Sequence, residues 1–150
     1  MTVETGQGNV SESVVNFAED KTAFHQFLQG KNIVIAGRGI TGGAPIAKAL
    51  QDIGVSFTVV HTQTGNPNYI YKSADIIITA TGSKIIGSSD IKKGVILLNV
   101  GLRKEDGKLR GDYDEREIAQ IASFYTQTPG GLGPLDVLYL FKNVIEATRI

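Results

Sequence analysis

The segment Ile33–Pro45 constrains the fold more than any other part of the chain. It begins with an apolar run, typical of a short buried strand, and continues into a glycine-rich turn. Gly37, Gly39 and Gly42 have the spacing G-x-G-x-x-G, and Pro45 lies where the first turn of a helix tolerates proline. A strand, a tight turn and a helix N-terminus together place backbone N–H groups where a pyrophosphate can bind. The glycine pattern alone leaves dinucleotide binding and close packing of strand on helix equally open.

Strand and helix patterns alternate along the rest of the chain. The predicted strands after Ile33–Ala36 are Val55–Val60, Asp75–Ala80, Val95–Val100 and Phe124–Thr126, and an Asp-Gly turn predicts a hairpin between Leu102 and Arg110. Helices are predicted before Gly54, after Asp114, and after Pro134, where Leu135, Leu138, Phe141, Val144 and Ile145 are expected to face inward. This alternation predicts an α/β fold: a Rossmann-like, doubly wound, mostly parallel sheet with helices on both faces.

Composition and charge narrow the class of protein. The 150 residues suffice for one domain with a substantial core, and 15 Lys and Arg balance 15 Asp and Glu. This balance argues against nucleic acid or an anionic membrane as a partner. Cysteine is absent, which excludes disulfides and thiolate chemistry. No apolar run reaches transmembrane length and no secretory signal pattern opens the chain, so the cytoplasm is the default location.

Two segments precede the first strand. Residues 1–10 are polar and glycine-bearing, which predicts a disordered tail or a remnant of cloning. Residues 11–28 carry two apolar clusters, the first with helix-like spacing. The predicted domain therefore spans residues 11–150.

The end of the second predicted strand indicates which dinucleotide would bind. A site selective for NAD places an acidic residue there, against the ribose hydroxyls. Here the strand ends in His61-Thr62, with no acid, and Arg38 lies in the glycine-rich turn. Arg38, His61 and the Thr62 hydroxyl could bind a 2′-phosphate, so NADP is favoured over NAD. Each also has a plainer reading, as a solvated turn residue or a strand-end residue that bonds to backbone.

Small residues follow the third and fourth predicted strands, at Ala80-Thr81-Gly82 and Val100-Gly101. Ligands of open parallel sheets lie at the carboxyl ends of the strands, and small residues let a cofactor approach the backbone. The segment Thr126–Pro134 is rich in glycine and proline and could be a shaped binding loop. Strand termination and a plain connection are the competing interpretations.

Other chemistries find little support in the sequence. His25 and His61 are the only histidines, and neither lies in a metal-binding pattern. No nucleophile elbow or Walker lysine is present. Asp112, Asp114 and Asp136 are the acids nearest the loops where a ligand would bind, but helix capping explains the first two equally well. Lys84 has no evident partner.

Several motifs together resemble the cofactor-binding domain of the bifunctional methylenetetrahydrofolate dehydrogenase/methenyltetrahydrofolate cyclohydrolase (FolD) family. They are Gly37-Arg38 with Gly43 and Pro45, His61, Ala80-Thr-Gly82, Val100-Gly101, Glu105–Asp114 and Pro129–Pro134. The resemblance runs from about Ser11 to the C-terminus. It implies a cofactor site at Gly37, Arg38, Gly39, Ile40, Thr41, Gly43, His61, Thr62, Ala80, Thr81, Gly82, Gly101, Thr128 and Gly131.

The resemblance implies NADP- or NAD-dependent oxidation of methylenetetrahydrofolate, followed by hydrolysis to formyltetrahydrofolate. The family's catalytic residues lie in an N-terminal domain, of which only a final linking helix near residues 11–28 has a counterpart here. No catalytic residue or metal site is therefore assigned, and the chain alone is expected to bind a dinucleotide weakly and to turn over no folate. The alternatives are a non-enzymatic, degenerate or regulatory domain, and a subunit that needs a partner folate domain; a homodimer, as in the family, is left open.

The sequence departs from the family pattern at several positions. Gly39 replaces a usual serine, Asn99 a usual aspartate, Gln127 a usual proline and Asp136 a usual threonine. Asp136 would place an acid near the nicotinamide end of the cleft. These departures put the strength of cofactor binding in question.

Overall fold

The computed structural model describes Ala23 and residues 25–148, in two units. In the first unit, Met1–Gly30, residues 25–28 are helical. The predicted tail 1–10 and most of the predicted helical segment 11–28 lie outside the described residues. The second unit, Lys31–Ile150, contains the sheet.

Seven strands and four α-helices of the second unit are described. The strands are β1 Ile33–Ala36, β2 Thr58–Val60, β3 Ile76–Thr79, β4 Ile96–Asn99, β5 Arg103–Glu105, β6 Lys108–Arg110 and β7 Phe124–Tyr125. The helices are α1 Gly43–Asp52, α2 Pro67–Ser73, α3 Glu115–Ile118 and α4 Gly133–Thr148, with a short 3-10 helix at Ser88–Asp90. The described part of the chain contains no helix long and apolar enough to cross a membrane.

Five strands form one parallel sheet in the order β2-β1-β3-β4-β7, and β5 pairs with β6 in a separate antiparallel hairpin. The central register aligns Ile33 with Ile76 and Ile76 with Ile96. From β1, the sheet extends to β2 on one side and to β3, β4 and β7 on the other side. The strand order thus reverses between β1 and β3, and the carboxyl ends of these two strands form the crevice where doubly wound sheets bind ligands. The predicted Rossmann-like fold is confirmed.

The core lies along the central strands. Every residue of β1 is buried, and Ile77 and Leu97 are fully buried in β3 and β4. Tyr71, Ile86 and Ile118 pack into the same cluster. Burial of one such side chain contributes about 2 kcal/mol, so these contacts hold the strand ends in fixed positions.

Local sequence patterns predicted most of the helix and strand boundaries correctly. Pro45 lies in the first turn of α1, and Gly54 follows that helix with a φ of +71°. Asp106 and Gly107 both have positive φ in the β5–β6 turn, as a tight hairpin requires. The second strand is shorter than predicted, because only Thr58–Val60 pairs with β1.

The last helix differs from its prediction. Leu135, Leu138 and Phe141 were expected to face inward, but they are 50%, 64% and 65% exposed, and Val144 and Ile145 are each 53% exposed. Helical periodicity identified an apolar face correctly but not what covers it. Among the described elements, none packs extensively on this face.

Candidate cofactor-binding site

The turn between β1 and α1 is packed too closely for side chains. Gly37 has a φ of +111°, and a Cβ there would lie 2.5 Å from the carbonyl oxygen of Ala80. A Cβ on Gly43 would overlap the carbonyl oxygen of Gly37. These two glycines therefore let the turn fold back on itself and on the end of β3.

The same turn presents unpaired backbone donors. Gly42 and Ala44 N–H donate to Gly39 O, and Gly37 N–H donates to Val60 O. Within the described residues, the N–H groups of 38–41 donate to no protein atom. Free N–H groups just before a ten-residue helix suit an anion such as a pyrophosphate.

Three adjoining cavities lie across the carboxyl ends of the strands. The central cavity, about 270 Å³, is lined by Gly39, Thr41, Gly42, Ala80, Thr81, Gly82, Val100, Gly101 and Leu102. The β2-side cavity, about 340 Å³, is lined by Val60, His61, Thr62, Thr64, Pro67, Asn68, Tyr71, Thr81, Ser83 and Ile85. The β4-side cavity, about 190 Å³, includes Asn99, Val100, Leu102, Leu109, Thr128 and Leu132. The central cavity shares Thr81 with the β2-side cavity and Val100 and Leu102 with the β4-side cavity, so the three lie in a row along the strand ends.

The predicted site residues fall into two groups in the structure. Most line the row: Gly39, Thr41, Ala80, Thr81, Gly82 and Gly101 in the centre, His61 and Thr62 on the β2 side, and Thr128 on the β4 side. Gly37, Arg38, Ile40, Gly43 and Gly131 line none of the three. Gly37 and Gly43 shape the turn instead, and Ile40 is 89% exposed.

At the β2 side, His61 is half-buried and fixed by local hydrogen bonds. The backbone N–H of His61 donates to Thr64 Oγ1 at 2.9 Å, and the backbone N–H of Gln63 donates to the imidazole Nδ1 of His61 at 3.3 Å. Because Nδ1 accepts, the ring proton lies on Nε2, which leaves a donor for a ligand. Arg38 is exposed, and its side chain makes no hydrogen bond or ion pair within the described part of the chain.

Burial raises the pKa of two tyrosines near the site. Tyr71, which lines the β2-side cavity, has its pKa raised to about 12 mainly by desolvation. Desolvation likewise raises the pKa of Tyr113 to about 12, and its hydroxyl donates to Thr126 O at 2.7 Å. Both side chains are neutral at physiological pH, as a tyrosine with its ordinary pKa of about 10 also is, so the shifts do not change their protonation there.

Asn99 is a buried junction at the end of β4. Its Oδ1 accepts from Thr79 Oγ1 and from Asp112 N–H, both at 2.9 Å. Its Nδ2 donates to Gly101 O at 2.8 Å and to Thr128 Oγ1 at 3.0 Å. The side-chain amide thus accepts hydrogen bonds through its oxygen and donates them through its nitrogen. A carboxylate at this position could only accept them. The sequence departure at this position therefore fits its surroundings.

Asp112 is one of the acids whose role the sequence left open, between a position near the ligand-binding loops and a helix cap. It does not cap a helix: it is fully buried, and its Oδ2 accepts from Thr81 N–H at 2.7 Å and from Thr81 Oγ1 at 3.0 Å. The cap of α3 is Asp114, whose side chain accepts from Arg116 N–H. Lys84 also has a partner, Glu117, at 2.5 Å. Both contacts join residues far apart in sequence, so no local pattern could reveal them.

Comparison with known proteins supports the same interpretation. The family model for the tetrahydrofolate dehydrogenase/cyclohydrolase NAD(P)-binding domain matches residues 11–150. The chain is 39% identical to the bifunctional protein FolD of Lactobacillus helveticus over 123 residues, which is 81% of this chain and 44% of that protein. It is 38% identical to FolD of Staphylococcus epidermidis over 125 residues, 82% of this chain and 44% of that protein. The chain thus spans less than half the length of these curated relatives.

Solved structures agree with the sequence comparisons. The FolD methylenetetrahydrofolate dehydrogenase/cyclohydrolase of Campylobacter jejuni superimposes with a TM-score of 0.76 at 32% identity, covering 88% of this chain and 48% of that one. The Trypanosoma brucei FolD, solved in complex with NADP and an inhibitor, superimposes with a TM-score of 0.73 at 28% identity, covering 92% and 50%. The chain therefore belongs to the tetrahydrofolate dehydrogenase/cyclohydrolase NAD(P)-binding domain family.

Proposed function

We propose that this chain binds NADP across the carboxyl ends of β2, β1, β3 and β4 and supplies the cofactor half of a methylenetetrahydrofolate dehydrogenase/cyclohydrolase. The single observation that carries the proposal is the row of three adjoining cavities across the point where the strand order reverses. Its extended shape suits a dinucleotide better than a compact ligand. Family membership and the NADP complex of the Trypanosoma brucei relative support the same ligand.

The polarity of the row suggests an orientation for the cofactor. The pyrophosphate would lie at the free N–H groups of residues 38–41. The adenosine end would occupy the β2-side cavity, with its 2′-phosphate near His61 and Thr62, which line it. Arg38 lies outside the cavity but follows Gly37, whose N–H donates to Val60 O at the end of β2. The nicotinamide would then lie toward Gly101 and Thr128, on the β4 side.

The folate site would be completed by residues outside this sequence. The chain spans 44% of the FolD protein of Lactobacillus helveticus, and the apolar side chains of α4 are half to two-thirds exposed. An apolar face of this kind suits a covering domain. In this proposal the chain holds and orients the cofactor, and a folate domain brings the carbon from which hydride is taken.

Titration calorimetry of the purified chain tests the cofactor assignment. We expect NADP to bind more tightly than NAD, because Arg38 and His61 Nε2 can donate to a 2′-phosphate that NAD lacks. Arg38→Ala should weaken NADP binding about tenfold and leave NAD binding nearly unchanged.

Lys48→Ala provides the matched control. It removes the same charge from the exposed surface of α1, where Lys48 pairs with Asp52. This variant should bind NADP as tightly as the parent chain. Failure of both dinucleotides to bind at millimolar concentration would favour a degenerate, non-enzymatic domain, and a preference for NAD would contradict the roles of Arg38, His61 and Thr62.

A further inference from the structure

Tyr71 of α2 connects the hydrophobic core with the β2-side cavity. Its side chain is only 4% exposed and packs in the same cluster as Val60 and Ile77. It also lines the β2-side cavity, together with Pro67 and Ile85. Core packing therefore holds the ring in place at the wall of a space that a ligand can enter.

The hydroxyl of this buried side chain makes no hydrogen bond to any residue that the structure describes. Tyr113, which is also buried, donates instead to Thr126 O at 2.7 Å. Among the described residues, the fully enclosed side-chain atom without a partner is Asp112 Oδ1, so the Tyr71 hydroxyl still reaches solvent. Because the β2-side cavity is the open space that this side chain lines, the hydroxyl is available to a ligand there. Buried polar groups nearly always have a partner, and here the protein supplies none.

The rest of the β2-side cavity suits a flat aromatic base. Val60, Pro67 and Ile85 supply apolar walls, and the cavity of about 340 Å³ is within the range of small-ligand pockets. His61 and Thr62 provide polar groups at the end of β2, where the 2′-phosphate is placed. Adenine combines a flat ring with unprotonated ring nitrogens that accept hydrogen bonds at its edge. Its shape therefore fits the walls, and its edge fits a hydroxyl donor.

We propose that the Tyr71 hydroxyl donates a hydrogen bond to a ring nitrogen of the adenine base and thereby makes the β2-side cavity selective for an adenosine-bearing ligand. The proposal rests on the proposed function, which places the adenosine end in this cavity. The hydroxyl acts on the base and not on the 2′-phosphate. It therefore strengthens the binding of NAD and NADP by the same factor, whereas Arg38 acts on NADP alone.

The test is Tyr71→Phe, which removes the hydroxyl and keeps the ring. Calorimetry should show about a fivefold rise in the dissociation constants of NADP, of NAD, and of adenosine 2′,5′-bisphosphate, which lacks the nicotinamide half. The midpoint of denaturant unfolding should not fall, because the hydroxyl has no protein partner to lose. Tyr69→Phe is the matched control: it is the same change on the same helix, at a tyrosine that is 73% exposed and lines none of the three cavities. It should leave the affinities and the midpoint unchanged.

The outcomes separate this inference from the proposed function. If the parent chain binds neither NADP nor NAD, the proposed function fails. If the parent chain binds NADP and Tyr71→Phe binds it as tightly, the role of Tyr71 is contradicted, and a lower midpoint with unchanged affinity would show that the hydroxyl is structural. A measurement on the parent chain applies even if Tyr71→Phe does not fold. With adenosine 2′,5′-bisphosphate bound, nuclear Overhauser effects should join the Tyr71 ring protons to H2 or H8 of adenine, and their absence overturns the inference.

Discussion

Replacing Gly43 with alanine is expected to lower the free energy of unfolding by about 3 kcal/mol and to abolish NADP binding. The new methyl group would overlap the carbonyl oxygen of Gly37, which cannot move aside as the end of a flexible side chain would. The turn would have to open, and its free N–H groups would no longer converge on one anion. Denaturant unfolding and calorimetry measure the two effects.

Gly39→Ala is the control for this prediction. Gly39 belongs to the same turn and lines the central cavity, yet a Cβ there would meet nothing within 4 Å. This variant should keep the stability of the parent chain to within about 0.5 kcal/mol. A Gly43→Ala protein that unfolds at the parent denaturant concentration and binds NADP normally would contradict the described packing of the turn.

Replacing Asn99 with leucine should cost about 3 kcal/mol. The substitution removes four side-chain hydrogen bonds at once and leaves the N–H of Asp112 and the hydroxyl of Thr79 buried without an acceptor. It would also remove one of the two hydrogen bonds that hold Thr128, which lines the β4-side cavity; the other runs from its backbone N–H to Glu115. Denaturant unfolding checks the stability, with Gln51→Leu, an exposed amide on α1, as the near-neutral control.

Asn99→Asp tests the donating side of this junction, Nδ2, separately from its accepting side, Oδ1. A carboxylate would still accept from Thr79 and from Asp112 N–H, but its second oxygen would face the carbonyl oxygen of Gly101. Protonation would restore a donor there, so the loss of stability relative to the parent should shrink as the pH falls from about 7 to about 5. Equal stability of Asn99→Asp and the parent at neutral pH would contradict the described role of Nδ2.

The sequence predicted the features that depend on local patterns. The apolar run Ile33–Ala36 followed by closely spaced glycines specified the β1–α1 turn, and the Asp-Gly pair specified the hairpin. Buried strands were recognised from their apolar runs, and the parallel arrangement of the sheet was inferred from the alternation of strands and helices. Ligand-end residues such as Thr81 and Gly101 could be chosen because parallel strands bring their carboxyl ends to one edge.

Features that depend on distant contacts could not be predicted in this way. Asp112 and Thr81 are 31 positions apart, and the Asn99–Thr128 hydrogen bond spans 29. A carboxylate before a helix is typical of a cap, and only the fold reveals that Asp112 points into the core. The apolar face of α4 had a clear helical period, but periodicity carries no information about the surface that covers it.

Binding of a dinucleotide across the three adjoining cavities can be followed directly through the backbone amide resonances during an NADP titration. We expect shifts at residues from all three cavities and the turn: Arg38 to Thr41, Thr62, Thr81, Gly101 and Thr128. The amide resonances at the amino ends of the strands, such as those of Asp75 and Gly94, should not shift. Absence of shifts at millimolar NADP, or shifts confined to one cavity or to the amino ends of the strands, would contradict this binding mode.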